Sequence, residues 1–150
     1  MKEIAIVAFS QSDCLARAGA ANEVELIMPQ LRAVFDQVGL NNAQDVDFVC
    51  SGSCDYLQGA AFAFVAGVDA LGAVPPIKES HVEMDAAWAL YESILKIRMG
   101  QAESALIYGF GKSSSGELPL VLSQQLDPYY LAPLWVDSVS LAAMQARLLF

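Results

Sequence analysis

The chain has 150 residues, 55% of them hydrophobic, with 17 acidic residues against 8 basic ones and a formal net charge of −9. That length supports one compact core. The few basic residues are scattered, which excludes the clustered Lys and Arg that nucleic acid or an anionic membrane surface would need in a partner.

The apolar runs are too short or too interrupted to span a bilayer. Met1-Lys2-Glu3 leads through a brief apolar run into polar Gln11-Ser12-Asp13 with no small-residue cleavage site. Cys14, Cys50 and Cys54 have no framework spacing, so a reduced, cytoplasmic protein is expected. Cys50 and Cys54 would have only His81 to help them toward the roughly four ligands of a zinc site, so no metal is expected.

Taken in order, Ile4 to Phe9 is a β-branched-rich run that predicts a central strand buried on both faces. Ser10 to Gly19 reads as a loop. Asn22 then stands as an N-cap before the acidic turn Glu23 to Glu25, and Leu26, Ile27, Leu31, Val34, Phe35 and Val38 follow helical spacing up to Gly39. Pro29 lies inside this pattern and either kinks the helix or marks its true start. Val46 to Cys50 predicts a second strand, closed by Ser51-Gly52-Ser53. A helix from about Gln58 to Leu71 follows, in which Ala60, Ala61, Ala63, Ala66 and Gly67 permit close packing.

Gly72 to Pro76 breaks that helix. Ile77 to Val82 predicts an extended piece running into a helix from Met84 to Met99, apolar on nearly every face and so expected to be buried on all sides. Gly100 ends it, and Glu103 to Gly111 predicts a third buried strand entering a glycine turn, followed by the polar loop Lys112 to Glu117. The alternation of strand and helix predicts an α/β fold with a mostly parallel sheet and helices on both faces. From Leu118 the texture changes to a short helix, a Pro- and Tyr-containing loop from Asp127 to Pro133, and a final helix from Val139 to Leu149 capped by Asp137 or Ser138. Residues 1–117 are thus expected to form an α/β core and 118–150 the start of a loop region, broken off in mid-pattern at Phe150.

The strand-to-helix passage from Pro75 to Tyr91 holds the only histidine. His81, Glu83 and Asp85 recur at two-residue spacing and share one face if the strand continues that far, forming an acid/base cluster. A second reading stands beside it: Ser80-His81-Val82-Glu83 also fits a capping box, with Ser80 as N-cap and Glu83 answering it.

Three strings carry a family resemblance: Gly100 to Lys112, Ser80 to Asp85 with Trp88-Ala89-Leu90-Tyr91, and Gln125 to Tyr130. Together with the element order they resemble the amino-terminal half of the thiolase superfamily, above all its sterol-carrier and lipid-transfer type (acetyl-CoA acetyltransferase-like). The resemblance covers essentially all of the chain but only the first part of the family's length. It implies a thiolase-like layered fold, an acyl-CoA thioester as substrate with no further cofactor, and a homodimer paired through residues 77–82. It also implies a separate OB-fold partner that binds acyl-CoA. In such proteins a nucleophilic cysteine sits where the third strand meets the buried helix; alignment on Ala89-Leu90 puts Glu83 at that cysteine and Ala86 at the following glycine. A carboxylate there cannot take up an acyl group as a thioester, and the family's later histidine and second cysteine would lie beyond Phe150. The resemblance therefore implies an acyltransferase-like or carbon–carbon-cleaving (retro-aldol) subunit of lipid or steroid side-chain metabolism that lacks the nucleophile. A non-catalytic scaffold, a lipid or acyl-CoA carrier and an inactive gene fragment are the alternatives, and ordinary thiolysis by this chain alone is not expected. Lys112, Ser113 and Ser114 follow a strand end and either line an acyl-CoA pocket or form a plain solvated loop. Tyr129 and Tyr130 either offer phenols to the site, as the retro-aldol members imply, or pack a loop.

Overall fold

A computed structural model describes residues 3–15, 19–58, 62–72, 78–113, 116–124, 126–134 and 136–149. Ala60, Ala61, the Pro75 to Ile77 part of the junction, Ser114, Gln125 and Phe150 lie outside the described residues. The elements are α1 (Glu23–Val38), β1 (Phe48–Gly52), α2 (Asp55–Gln58), α3 (Phe64–Leu71), β2 (Glu79–Val82), α4 (Ala86–Arg98), β3 (Ala105–Gly109), α5 (Leu118–Gln124) and α6 (Ser138–Arg147). Short 3₁₀ turns occur at Ala43–Asp45 and Ala132–Leu134.

Helix α1 starts where its capping chemistry dictates. The Asn22 side chain accepts the Glu25 amide at 2.8 Å while the Glu25 carboxylate accepts the Asn22 amide at 2.8 Å, a reciprocal box that satisfies two otherwise orphaned donors. The helix runs on through Pro29, so this proline does not mark the start, and ends at Gly39, whose φ of 71° is the left-handed conformation that glycine adopts cheaply. Ile27, Leu31 and Phe35, four residues apart, form its buried face.

The three strands form a parallel sheet in the order β2-β1-β3, with β1 buried along its whole length. Strand pleating then sorts the side chains. Val49 and Leu106 face one way and join Ile27, Leu31, Phe35, Ala43 and Leu71 in a core beneath α1 and α3. Phe48 and Cys50 face the other way and meet Ala89 of α4 and Ala102. The result is an α/β fold with helices on both faces of a small parallel sheet. The Asp47 carboxylate ties the entry of β1 to that of β3, accepting the Glu103 and Ser104 amides at 2.9 and 3.0 Å.

Two expectations are corrected. Ile4 to Phe9 forms no strand among the described residues: Ile6, Val7 and Phe9 are 76%, 80% and 70% exposed. It is tied down by the Gln37 amide group, which accepts from the Phe9 N–H at 3.2 Å and donates to the Phe9 carbonyl at 3.0 Å, and by a 2.6 Å bond from Ser10 to Gln30. A β-branched run becomes a strand only when a neighbouring strand completes its ladder, and the central position is taken by β1. Helix α4 is not buried on all sides either. It lays Ala89 and Ser93 on the sheet and leaves Met84 just before it, Trp88, Tyr91, Leu95 and Met99 just after it, as an exposed stripe. No helix among the described residues is long and apolar enough to cross a membrane.

Candidate functional site

The three strands finish level with one another, with Gly52 opposite both Val82 and Gly109. Helix α4 begins directly over that end. A Cβ on Gly52 would stand 2.3 Å from the Asp85 carbonyl oxygen, and one on Gly109 would stand 2.6 Å from the Ala86 Cβ. Only glycine at both positions lets the helix start lie flush on the carboxyl end of the sheet, where parallel α/β folds present ligand-binding groups.

One residue earlier in the ladder, His81, Ser51 and Tyr108 are register partners on adjacent strands and so form a row on one face. His81 Nδ1 lies 2.9 Å from Ser51 Oγ, and its Nε2 lies 3.4 Å from Glu83 Oε2. The other Glu83 oxygen accepts the Asp55 amide at 2.8 Å. The Phe64 ring covers the imidazole with centroids 5.0 Å apart. The Asp55 carboxylate in turn accepts the amides of Phe62, at 2.7 Å, and Ala63, at 2.8 Å. It thereby holds Phe62 at a φ of 59°, an uncommon conformation for a bulky side chain. The acid, the ring and the start of α3 are thus one connected assembly. The His81 side chain is 19% exposed and that of Glu83 48%, so the pair meets solvent through the carboxylate.

Tyr108 closes the row from within. Burial pushes its phenol up to about 12, against the lowering effect of the neighbouring Ser51 hydroxyl. Gly67 of α3 makes room for that ring, since a Cβ there would come within 2.8 Å of the phenolic oxygen. On the far side of the sheet the fully buried Cys50 thiol is pushed up to about 11, chiefly by desolvation and next by Glu92, which leaves little nucleophilic thiolate.

The site residues read from the sequence separate into three groups. His81 and Glu83 come together as expected. Asp85 does not join them: β2 ends at Val82, and Asp85 is the N-cap of α4, accepting the Ala87 amide at 2.9 Å and the Trp88 amide at 3.3 Å. This also corrects the capping-box reading, since Ser80 lies inside β2 and Glu83 answers a different amide. Lys112 extends its ammonium group to the Ala21 carbonyl, while Ser113 lies exposed with its carbonyl accepting the Gly116 amide at 3.2 Å. Tyr129 and Tyr130 are exposed, their amides held by Asp127 in an Asx turn.

Ser51, Tyr108, Asp55 and Phe64 complete the assembly and were not singled out from the sequence. The available signal was Ser51, a polar residue immediately after the buried strand run. Ser53 Oγ and Gln58 Nε2 add two buried polar atoms with no partner among the described residues, both just beyond β1. No group of three or more His, Cys, Asp and Glu side chains able to hold a metal occurs among the described residues.

The chain matches no protein-family model, no curated protein and no solved structure. The resemblance to thiolases therefore rests on the sequence strings themselves.

Proposed function

We propose that the chain is a thiolase-like acyl-CoA module of lipid or steroid side-chain metabolism. Its strand-to-helix turn holds Glu83 in place of the nucleophilic cysteine. It binds a thioester and moves protons on it, or presents it to a partner, and does not capture the acyl group covalently. The observation that carries this reading is the His81–Glu83 contact at the carboxyl end of three parallel strands, beside a helix start seated on Gly52 and Gly109. An imidazole and a carboxylate in contact can exchange a proton, and neither forms the thioester that a thiolate would.

Two further features support the layered form of the fold and its assembly. The exposed stripe Met84, Trp88, Tyr91, Leu95 and Met99 along α4 fits a helix that a further layer covers. Strand β2 is an outer strand of the three, which suits pairing with a second copy through residues 77–82. On this reading an OB-fold partner supplies the remainder of the acyl-CoA site.

Calorimetric titration with octanoyl-CoA tests the proposal. Binding by the wild type, weakened about tenfold or more in the His81→Ala/Glu83→Ala double variant, is the expected result. No binding, or binding that the double variant leaves intact, sinks it, and in the latter case assigns the pair to holding the sheet edge.

A further inference from the structure

Ser51 is a buried hydroxyl on the central strand, one residue before its carboxyl end, a position that ordinarily takes Val or Ile. Its hydroxyl lies 2.9 Å from His81 Nδ1 on one neighbouring strand, and Tyr108 is its register partner on the other. We propose that Ser51 is a positioning residue that holds the neutral form of His81 as its Nε2–H tautomer, with that N–H turned toward Glu83.

The direction of the chain follows from what each group can donate. An ionised carboxylate only accepts hydrogen bonds, and Glu83 Oε2 faces His81 Nε2 at 3.4 Å. A lone pair on Nε2 would meet a negative oxygen, whereas an N–H there meets an acceptor, so Nε2 carries the proton. Nδ1 is then the acceptor of the neutral ring, and the one proton of Ser51 points to it. The order is therefore Ser51 to His81 to Glu83, with no donor facing a donor. When the ring carries a second proton, Nδ1 becomes a donor and the Ser51 oxygen must accept from it. A hydroxyl serves both states because it donates and accepts; alanine serves neither.

Describing His81 and Glu83 as the working pair rests on the function proposed above, but the direction of the hydrogen bonds rests on geometry alone. The experiment is the long-range ¹H–¹⁵N spectrum of the imidazole in the free chain, whose single histidine gives one ring system. At a pH where the ring is neutral, the wild type is expected to show a protonated Nε2 and a hydrogen-bonded, unprotonated Nδ1. Ser51→Ala is expected to move the Nδ1 signal to that of an unbonded acceptor, and Ser51→Thr, which keeps the hydroxyl, to restore it. A wild-type ring protonated at Nδ1, or an even mixture of tautomers, overturns the proposal without any variant. An Nδ1 signal that Ser51→Ala leaves unmoved overturns it as well. Because acyl-CoA is not in the sample, failure of thioester binding and failure of this assignment are read separately.

Discussion

Substituting Gly52 by alanine probes the feature that places the site, the close seating of α4 on the end of the sheet. The added Cβ would lie 2.3 Å from the Asp85 carbonyl oxygen, 2.4 Å from its carbon and 2.8 Å from the Ala86 nitrogen. All three are backbone atoms, so no side-chain rotation relieves the overlap. Reaching ordinary contact, which begins at 3.4 Å, requires the helix start or the strand end to withdraw by about 1 Å. Overpacking of this kind costs about 1–3 kcal/mol, which for a chain of this size corresponds to a Tm lowered by about 2–12 °C. Gly67→Ala is the internal control, because its nearest neighbours are the tip and ring of Tyr108, a side chain that can shift, and its loss should be smaller. Thermal unfolding followed by circular dichroism reads both. A Gly52→Ala protein as stable as the wild type, or less affected than Gly67→Ala, would refute the claim that α4 begins flush on the strand ends.

Three other perturbations follow from the same geometry. Asp47 is held below the ordinary aspartate value of 3.8, first by the Glu103 amide and then by the Ser104 amide. A depressed acid stabilises the folded chain above that value and loses the contribution as pH falls through its folded value. The urea midpoint of Asp47→Asn should therefore lie below that of the wild type near neutral pH, with the gap narrowing on acidification below 3.8; a pH-independent gap would contradict the assignment. Asn22→Ala removes the acceptor half of the α1 capping box and should cost about 1 kcal/mol, or roughly 2–4 °C in Tm; no loss would show that the box is not what starts the helix. Under native alkylation, the exposed Cys14 should be modified first and the buried Cys50, its thiol pushed up to about 11, last. Mass spectrometry that finds both modified at equal rates would refute the burial of Cys50.

How much of this was legible beforehand depended on sequence distance. The α1 cap was readable because Asn22 and Glu25 are three residues apart and their chemistry is local. The second and third strands were readable as apolar runs, although each begins two residues later than the pattern suggests, because Asp47 and Ser104 bond to each other before the ladder starts. The run Ile4 to Phe9 was misread because β-branched composition measures fitness for a sheet surface and says nothing of whether a neighbour is present. Helix α4 was misread in a related way: its apolar residues surround it, but the small sheet covers only the side carrying Ala89 and Ser93. Within the site, His81 and Glu83 were found because they lie only two positions apart in the sequence. Asp85 was wrongly grouped with them because β2 stops at Val82, after which the two-residue alternation no longer applies. Ser51 lies 30 residues from His81, and Tyr108 reaches the same row through parallel pairing across two crossovers. Parallel register is set by the packed sheet and has no local signature.

The claim that His81 and Glu83 meet a thioester is tested most directly by following the His81 ring signals while octanoyl-CoA is added to the wild-type chain. The account predicts a saturable shift that Glu83→Ala weakens. Ring signals that stay fixed while calorimetry reports binding would contradict it, because the thioester would then sit elsewhere on the chain.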